Sequence, residues 1–298
     1  MSTSVWPSLP ADELRKEEDQ SAERELSWLL ESLQETLAAL KIGLEECYAL
    51  LAPVEPGSTL VMSSPRSESL KGLVTRVGTQ IVKGSLHLKL KTIPPTTLTF
   101  SQTSPLLLEP LTQLRTLLNQ SLDCVDITRW TGDRHSAPFI SSQLHLLHSI
   151  LSEAKAVLKG PSLLEPGTVV ISSLNWAHKP IDPATFTPPL PSNLSLDLTV
   201  SDGSLLLTIR VLEPVAQQPN FGSRLAYAIG AQRRLEHDEM DEVFMYRSEE
   251  VRVKEKVRVE SADPRLMSVL AKVSALEHTV EGARHGLKIV MGRDDSDD

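Results

Sequence analysis

Cysteine is nearly missing from this chain: Cys47 and Cys124 are the only two, and neither has metal-type spacing to a second ligand. That argues against a disulfide framework or a thiolate metal centre and suits a reducing compartment. Aromatic residues are few, with three Tyr, five Phe and four Trp, so the core must be built mainly from Leu and Val. There is no Gly-rich phosphate loop, no nucleophile elbow and no Cys-x-x-Cys pair, so the commonest signatures of phosphoryl transfer, acyl hydrolysis and thiol redox chemistry are lacking. No apolar run reaches the ~18 residues a membrane-spanning helix needs. A basic excess is also lacking. The 39 acidic and 30 basic residues give a formal charge of −9, which argues against nonspecific nucleic-acid binding. Residues 1–20 carry Pro7, Pro10 and a charge run from Asp12 to Asp19 but no apolar h-region. They read as a disordered leader rather than a secretory signal or presequence.

What is abundant is leucine at helical spacing. Leu26, Leu30, Leu33, Leu37, Leu40, Leu44, Cys47 and Leu51 alternate steps of four and three, an unbroken heptad stripe. Trp28 lies beside the stripe and is expected in the core. Pro53, Pro56 and Gly57 end the helix. The stripe must be covered, and three further heptad segments are available. One runs from Leu107 through Leu111, Leu114, Leu118 and Leu122 to Val125, its helix starting either at Ser104-Pro105 or after Pro110. A second holds Ile140, Leu144, Leu147, Leu151, Ala154 and Leu158. The last holds Leu266, Val269, Val273, Leu276 and Val280, with Pro264 at its first turn after Asp263.

Two blocks of period-2 alternation lie between these helices. In the first, Leu70–Thr75 reads as a strand, Leu86, Leu88 and Leu90 alternate with His87, Lys89 and Lys91, and Thr96–Phe100 follows. In the second, Val169–Ile171 is a short apolar strand. Leu194–Val200 and Leu205–Val211 flank Asp202-Gly203, a strong hairpin signal because both turn residues take positive φ. Val251, Val253, Val257 and Val259 then alternate with Arg252, Lys254, Lys256 and Arg258, with Glu255 in the apolar register. The reading is α+β: an elongated two-domain protein with an antiparallel helical bundle and an antiparallel β-sheet domain, both discontinuous in sequence. The bundle comprises residues 21–53, 104–160 and 264–286, with a core of Leu26, Leu30, Leu33, Leu37, Leu40, Leu44, Leu144, Leu147, Leu151, Leu266 and Val273. The β-domain comprises 58–103 and 165–262, its two blocks meeting in one sheet, and 287–298 is a disordered acidic tail. The rival arrangement is a homodimeric coiled coil, a self-associating tether, through Glu23–Leu51.

Chemistry-bearing constellations are sparse. His145 and His148 share a helix face but lack further ligands nearby, so they read as polar surface positions rather than a metal site. Asp123 and Asp126 read as a helix end. Glu236, Asp238, Glu239, Asp241 and Glu242 read as a solvated acidic cluster. Arg252, Lys254, Lys256 and Arg258, at ~6.8 Å spacing along one strand face, are the candidate partner-binding surface, for an acidic peptide or lipid headgroups. The competing reading is an edge strand protected by cations against aggregation.

The order of short motifs resembles one family. Glu25-Leu26-Ser27-Trp28-Leu29-Leu30 at the head of the long helix resembles the start of Rogdi-type proteins. Leu70-Lys71-Gly72-Leu73 heads the first β block, and Leu190-Pro191-Ser192-Asn193-Leu194 leads into the hairpin, as in that family. Rogdi-type proteins include the small subunit of the RAVE complex, the regulator of vacuolar and endosomal proton-ATPase assembly. The resemblance implies interleaved helical and β domains and a non-enzymatic adaptor with no cofactor and no catalytic residues. It implies binding to a WD-repeat scaffold subunit and, through the complex, to peripheral-sector subunits of the proton pump. The implied location is cytoplasmic, with peripheral recruitment to vacuolar or endosomal membranes.

Overall fold

The computed structural model describes residues 10–160, 175–215, 237–239 and 242–292. Helix α1 spans Ala11–Leu50, α2 Glu109–Asp126, α3 Ala137–Lys159, the short α4 Asn175–His178 and α5 Pro264–Val290. The strands are β1 Ser58–Ser63, β2 Leu70–Val77, β3 Gln80–Leu88, β4 Thr96–Phe100, β5 Leu106–Leu107, β6 Phe186–Thr187, β7 Leu194–Ser201, β8 Ser204–Pro214, β9 Val243–Tyr246 and β10 Glu249–Ala262. The chain divides into two compact units. One takes in Met1–Tyr48, Thr116–Ala154 and Lys272–Asp298; the other takes in Ala49–Arg115 and Lys155–Ala271.

In the first unit four helices cover one another. Lys41 on α1 donates to the Asp126 carboxylate on α2 at 2.7 Å. Cys124 on α2 donates to the Gln143 carbonyl on α3. Ser152 on α3 donates to Glu277 on α5, and Arg284 on α5 meets His145 on α3 at 3.0 Å. Lys272 and Glu46 close the ring between α5 and α1. These pairings run in opposite chain directions between α3 and α5, as they do for Glu46–Lys272 and Gly43–Leu276 between α1 and α5. The opening and closing helices therefore lie side by side and antiparallel. The α1 stripe is buried from Leu30 through Leu33, Leu37, Leu40 and Leu44 to Cys47. It is covered inside a single chain.

Several expectations change here. Residues 11–20 are helical, not a disordered leader, and α5 runs past residue 286 to Val290, because Leu287 is fully buried and anchors the last turns. Leu26 is only half-buried, and Trp28 is 67% exposed. Trp28 sits two residues from Leu26, which on a helix rotates it about 200° away from the stripe. Leu107 is exposed and belongs to β5 rather than to the helix. The unit boundary also falls inside α2, α3 and α5, so Leu266 is buried in the second unit, not in the bundle.

The second unit holds two antiparallel sheets rather than one. The first has the order β1-β2-β3-β4-β6, with β5 on β3; the second has the order β7-β8-β10-β9. The β7–β8 turn follows the sequence signal, with Asp202 at φ 47° and Gly203 at φ 72°. Its two N–H groups donate to the carbonyls of Lys159 and Leu158 and so cap α3. A Cβ at Gly203 would stand 3.0 Å from the Met267 backbone of α5. The Val169–Ile171 strand expectation lies outside the described residues.

A buried ion pair joins the first sheet to the end of the second. Arg76 on β2 donates through Nε to Asp263 Oδ2 at 2.6 Å, and through Nη1 to the Gly78 carbonyl at 2.5 Å. Both side chains are essentially inaccessible. The other Asp263 oxygen accepts from the N–H groups of Arg265 and Leu266 and so caps α5 ahead of Pro264.

Two expected outcomes follow from this packing. Asp263→Ala should cost about 3–5 kcal/mol in chemical denaturation, because it strands the Arg76 charge and removes the cap. Asp263→Asn retains a capping oxygen, so its smaller loss measures the stranded charge; equal losses would show that the cap carries no weight. For the thiols, burial pushes Cys47 up to about 11 despite the opposing charge of Lys272, and pushes Cys124 upward against a lowering hydrogen bond to Thr128. A maleimide at mildly alkaline pH should label neither cysteine until denaturant is added, as read by mass spectrometry.

Candidate interaction surface

The cationic strand predicted as a surface is β10, and one extra residue reorganises it. The β8 partners of Val253 and Glu255 are Leu212 and Val211, so Lys254 is a β-bulge. A single inserted residue exchanges the faces of the strand on its two sides. Val251 and Val253 pack with Trp176, Ala177, Leu212, Phe244 and Tyr246 on one face. Beyond the bulge, Glu255, Val257 and Val259 pair with Val211, Ile209 and Leu207 on the other. The four cations therefore do not form one stripe. Arg252 lies opposite Glu213, and Lys254 pairs with the Glu213 carboxylate at 3.4 Å. Lys256 and Arg258 project from the opposite face, across from Arg210 and Thr208. Strand β10 is also not a simple edge: β8 flanks it from Val251 to Ala262 and β9 flanks Glu249–Arg252.

Lys256 belongs to a largely enclosed charge network. Arg210 reaches both Glu239 carboxylate oxygens, at 2.7 and 2.8 Å, while Lys256 reaches Glu239 at 2.7 Å and Asp238 at 2.8 Å. The Arg210 guanidinium also stacks on Trp176, 4.5 Å from the ring centroid. Burial alone would raise the Glu239 carboxyl, but its bonds and charges from Arg210 and Lys256 prevail and hold it below the usual range. Asp238 is drawn down in the same way by Lys256 against its own partial burial. Asp197, on β7, is pushed up chiefly by burial and only partly restrained by Arg210. The acidic cluster read as solvated is thus, at Glu239, a buried anchor. Glu236 and Asp241 lie outside the described residues.

Glu255, out of place in the apolar register, is explained by its partners. It is buried and accepts from the N–H groups of Lys91 and Thr92 and from the Thr92 hydroxyl, at 2.8–3.1 Å. It thereby holds the segment that follows β3 against the second sheet. The signal was present in the sequence as a single carboxylate among valines, but its partners lie more than 160 residues away. Elsewhere, His145 faces Arg284, His148 is half-buried, and Asp126 pairs with Lys41.

Glu239→Gln leaves Arg210 and Lys256 facing a neutral amide. It should cost about 3 kcal/mol at neutral pH. The wild-type carboxylate, depressed in the fold, contributes fully above the ordinary Glu value of ~4.3 and loses that contribution as pH falls through its lower folded value. Denaturation midpoints of the two proteins should therefore converge as pH falls below the ordinary Glu value of ~4.3. A gap that does not change with pH would show that the charge is not what stabilises the network.

Comparison with known proteins bears on what this scaffold serves. A family model described as Rogdi leucine zipper containing protein matches residues 25–288. The Schizosaccharomyces pombe protein named Regulator of V-ATPase in vacuolar membrane protein 2 is 26% identical over 291 residues, spanning 90% of this chain and 93% of that protein. Among the described residues no helix is long and apolar enough to cross a membrane. The leucine stripe, the interleaved helices and sheets, and a match running over nearly the whole described fold lead to one conclusion: this chain belongs to the Rogdi leucine zipper family.

Proposed function

We propose that the protein is a non-enzymatic adaptor subunit of a RAVE-like complex, promoting assembly and reassembly of the vacuolar proton-translocating ATPase and so organelle acidification. The observation that carries this reading is the alignment with a yeast V-ATPase regulator along 90% of the chain and 93% of the relative. Both units are covered, so the likeness is not confined to a generic heptad helix. The partners in this reading are a WD-repeat scaffold subunit and, through it, peripheral-sector subunits of the pump. The protein works in the cytoplasm and is recruited peripherally to vacuolar or endosomal membranes. Its action is binding alone, with no cofactor. Trp28 and Trp130, each about two-thirds exposed on the bundle unit, are the kind of aromatic anchor that concentrates binding energy at protein interfaces.

Affinity purification of the tagged full chain should recover a WD-repeat protein and pump subunits, and its deletion should raise vacuolar pH. Recovery of neither partner class, with normal acidification in the deletion strain, overturns the assignment.

A further inference from the structure

Residues 58–103 of this acidic chain are cationic, and the fold spreads their lysines over one face of the first sheet. Residues 58–103 hold six basic residues against the single acidic Glu68, leaving 24 basic and 38 acidic residues in the rest of the chain. Arg76 is committed to Asp263 inside the fold. The lysines are not committed: Lys71, Lys83, Lys89 and Lys91 are all exposed and form no ion pair among the described residues. This contrasts with Lys254 and Lys256 on β10, which are neutralised by Glu213, Asp238 and Glu239.

The register of the first sheet places the side chains. Val61 lies opposite Leu73, Leu73 opposite Ser85, Ser85 opposite Thr99 and Thr99 opposite Thr187, a row of side chains on one face. The row beside it holds Ser63, Lys71, His87 and Thr97, and Lys89 continues past His87 on the same side of β3. On the other flank, Thr59, Thr75 and Lys83 align, with Thr75 buried between them and Lys83 exposed. The opposite face of the sheet is apolar and buried, with Leu60, Met62, Val74, Leu86, Leu98 and Phe100. The outer face thus has two adjacent exposed apolar side chains, Val61 at 59% and Leu73 at 50% exposure, with hydroxyls beside them and lysines on both flanks.

We propose that this face, built on Lys71, Lys83 and Lys89 around Val61 and Leu73, docks on an anionic lipid surface. The proposal deepens the adaptor reading, on which it rests for a membrane being at hand. Charge complementarity gives the attraction: each lysine near an anionic bilayer contributes roughly 1 kcal/mol, screened within a Debye length of ~8 Å. The acidic remainder of the chain carries the opposite sign and gains nothing from the same surface. Shape gives the choice of partner. Extended peptides add to a strand edge through backbone bonds and helices fill a groove, whereas Lys71, Lys83 and Leu73 stand on the face of the interior strands β2 and β3, with Val61 alone on the edge strand β1. Lysines flanking a shallow apolar pair match headgroups above acyl chains, where the ammoniums stay hydrated and the apolar pair dips inward.

The test uses the purified full chain alone. Sedimentation with phosphatidylcholine vesicles is compared with vesicles containing about 30% phosphatidylserine, at low and physiological salt. The wild type should partition onto the anionic vesicles only, and less so as salt rises. Lys71→Glu/Lys83→Glu/Lys89→Glu should lower that partitioning at least about tenfold with an unchanged melting temperature. Val61→Ser/Leu73→Ser should lower it less, and Arg15→Glu/Lys16→Glu on α1 should leave it unaltered. Indifference of the wild type to vesicle charge, or full binding by the triple variant, overturns the proposal. So does a triple variant that loses pump or scaffold subunits in affinity purification when the wild type ignores vesicles, because the face would then serve an acidic protein. No partner protein is present with the vesicles, so failure there leaves the adaptor reading standing, and failure of the affinity purification leaves the vesicle result standing.

Discussion

The second unit depends on a guanidinium and a carboxylate that water does not reach. Arg76 arises in the first sheet, Asp263 follows the last strand of the second, and the carboxylate also caps the helix that starts one residue later. Either charge alone in that setting costs several kcal/mol. Together, with the Gly78 carbonyl as third partner, they tolerate burial only in one arrangement. Apolar surface can slide by a residue at modest cost; a buried ion pair with a helix cap on its second oxygen cannot. The pair, whose members stand 187 residues apart in sequence, therefore fixes how the two sheets meet.

The bulge at Lys254 plays a corresponding part for the second sheet. One strand must serve two apolar environments, the aromatic cluster around Trp176 and the Leu/Ile/Val face of β7 and β8. A strand without a bulge presents its odd-numbered residues to one side only. The inserted residue lets Val251 and Val253 serve one side and Val257 and Val259 the other. The same shift turns Lys256 toward Glu239, where Arg210 completes a charge-assisted network. Cations that look like a binding stripe in one dimension are thereby divided between two faces, and half of them are neutralised. Four uncommitted lysines lie on or beside the first sheet, among threonines, serines and two exposed aliphatic side chains.

In the bundle unit, the leucine stripe that characterises the family is turned inward. A zipper between two chains would need Leu30 to Leu44 uncovered, and in this chain α2, α3 and α5 bury them. What remains on the outside of α1 is the segment before Leu30, exposed along most of its length, with Trp28 at its end.

Periodic features were legible in the sequence because they arise from local geometry. The heptads of α1, α3 and α5, the hairpin at Asp202-Gly203, the stop at Pro53 and the start at Pro264 each depend on residues within a few positions of one another. The side-by-side packing of the first and last helices was also inferable, since four apolar stripes in one chain suffice to cover each other. The exposure of Trp28, the division into two sheets, the face on which each cation of β10 stands and the burial of Glu239 were not inferable. Each turns on a partner, or on a single extra residue in a ladder, that lies far away in the chain. Periodicity records which side chains share a face only while the register is unbroken, and it says nothing of which distant charge comes to meet them. Tertiary structure decided those points, because burial of a charge is tolerable only where the fold brings its counterpart.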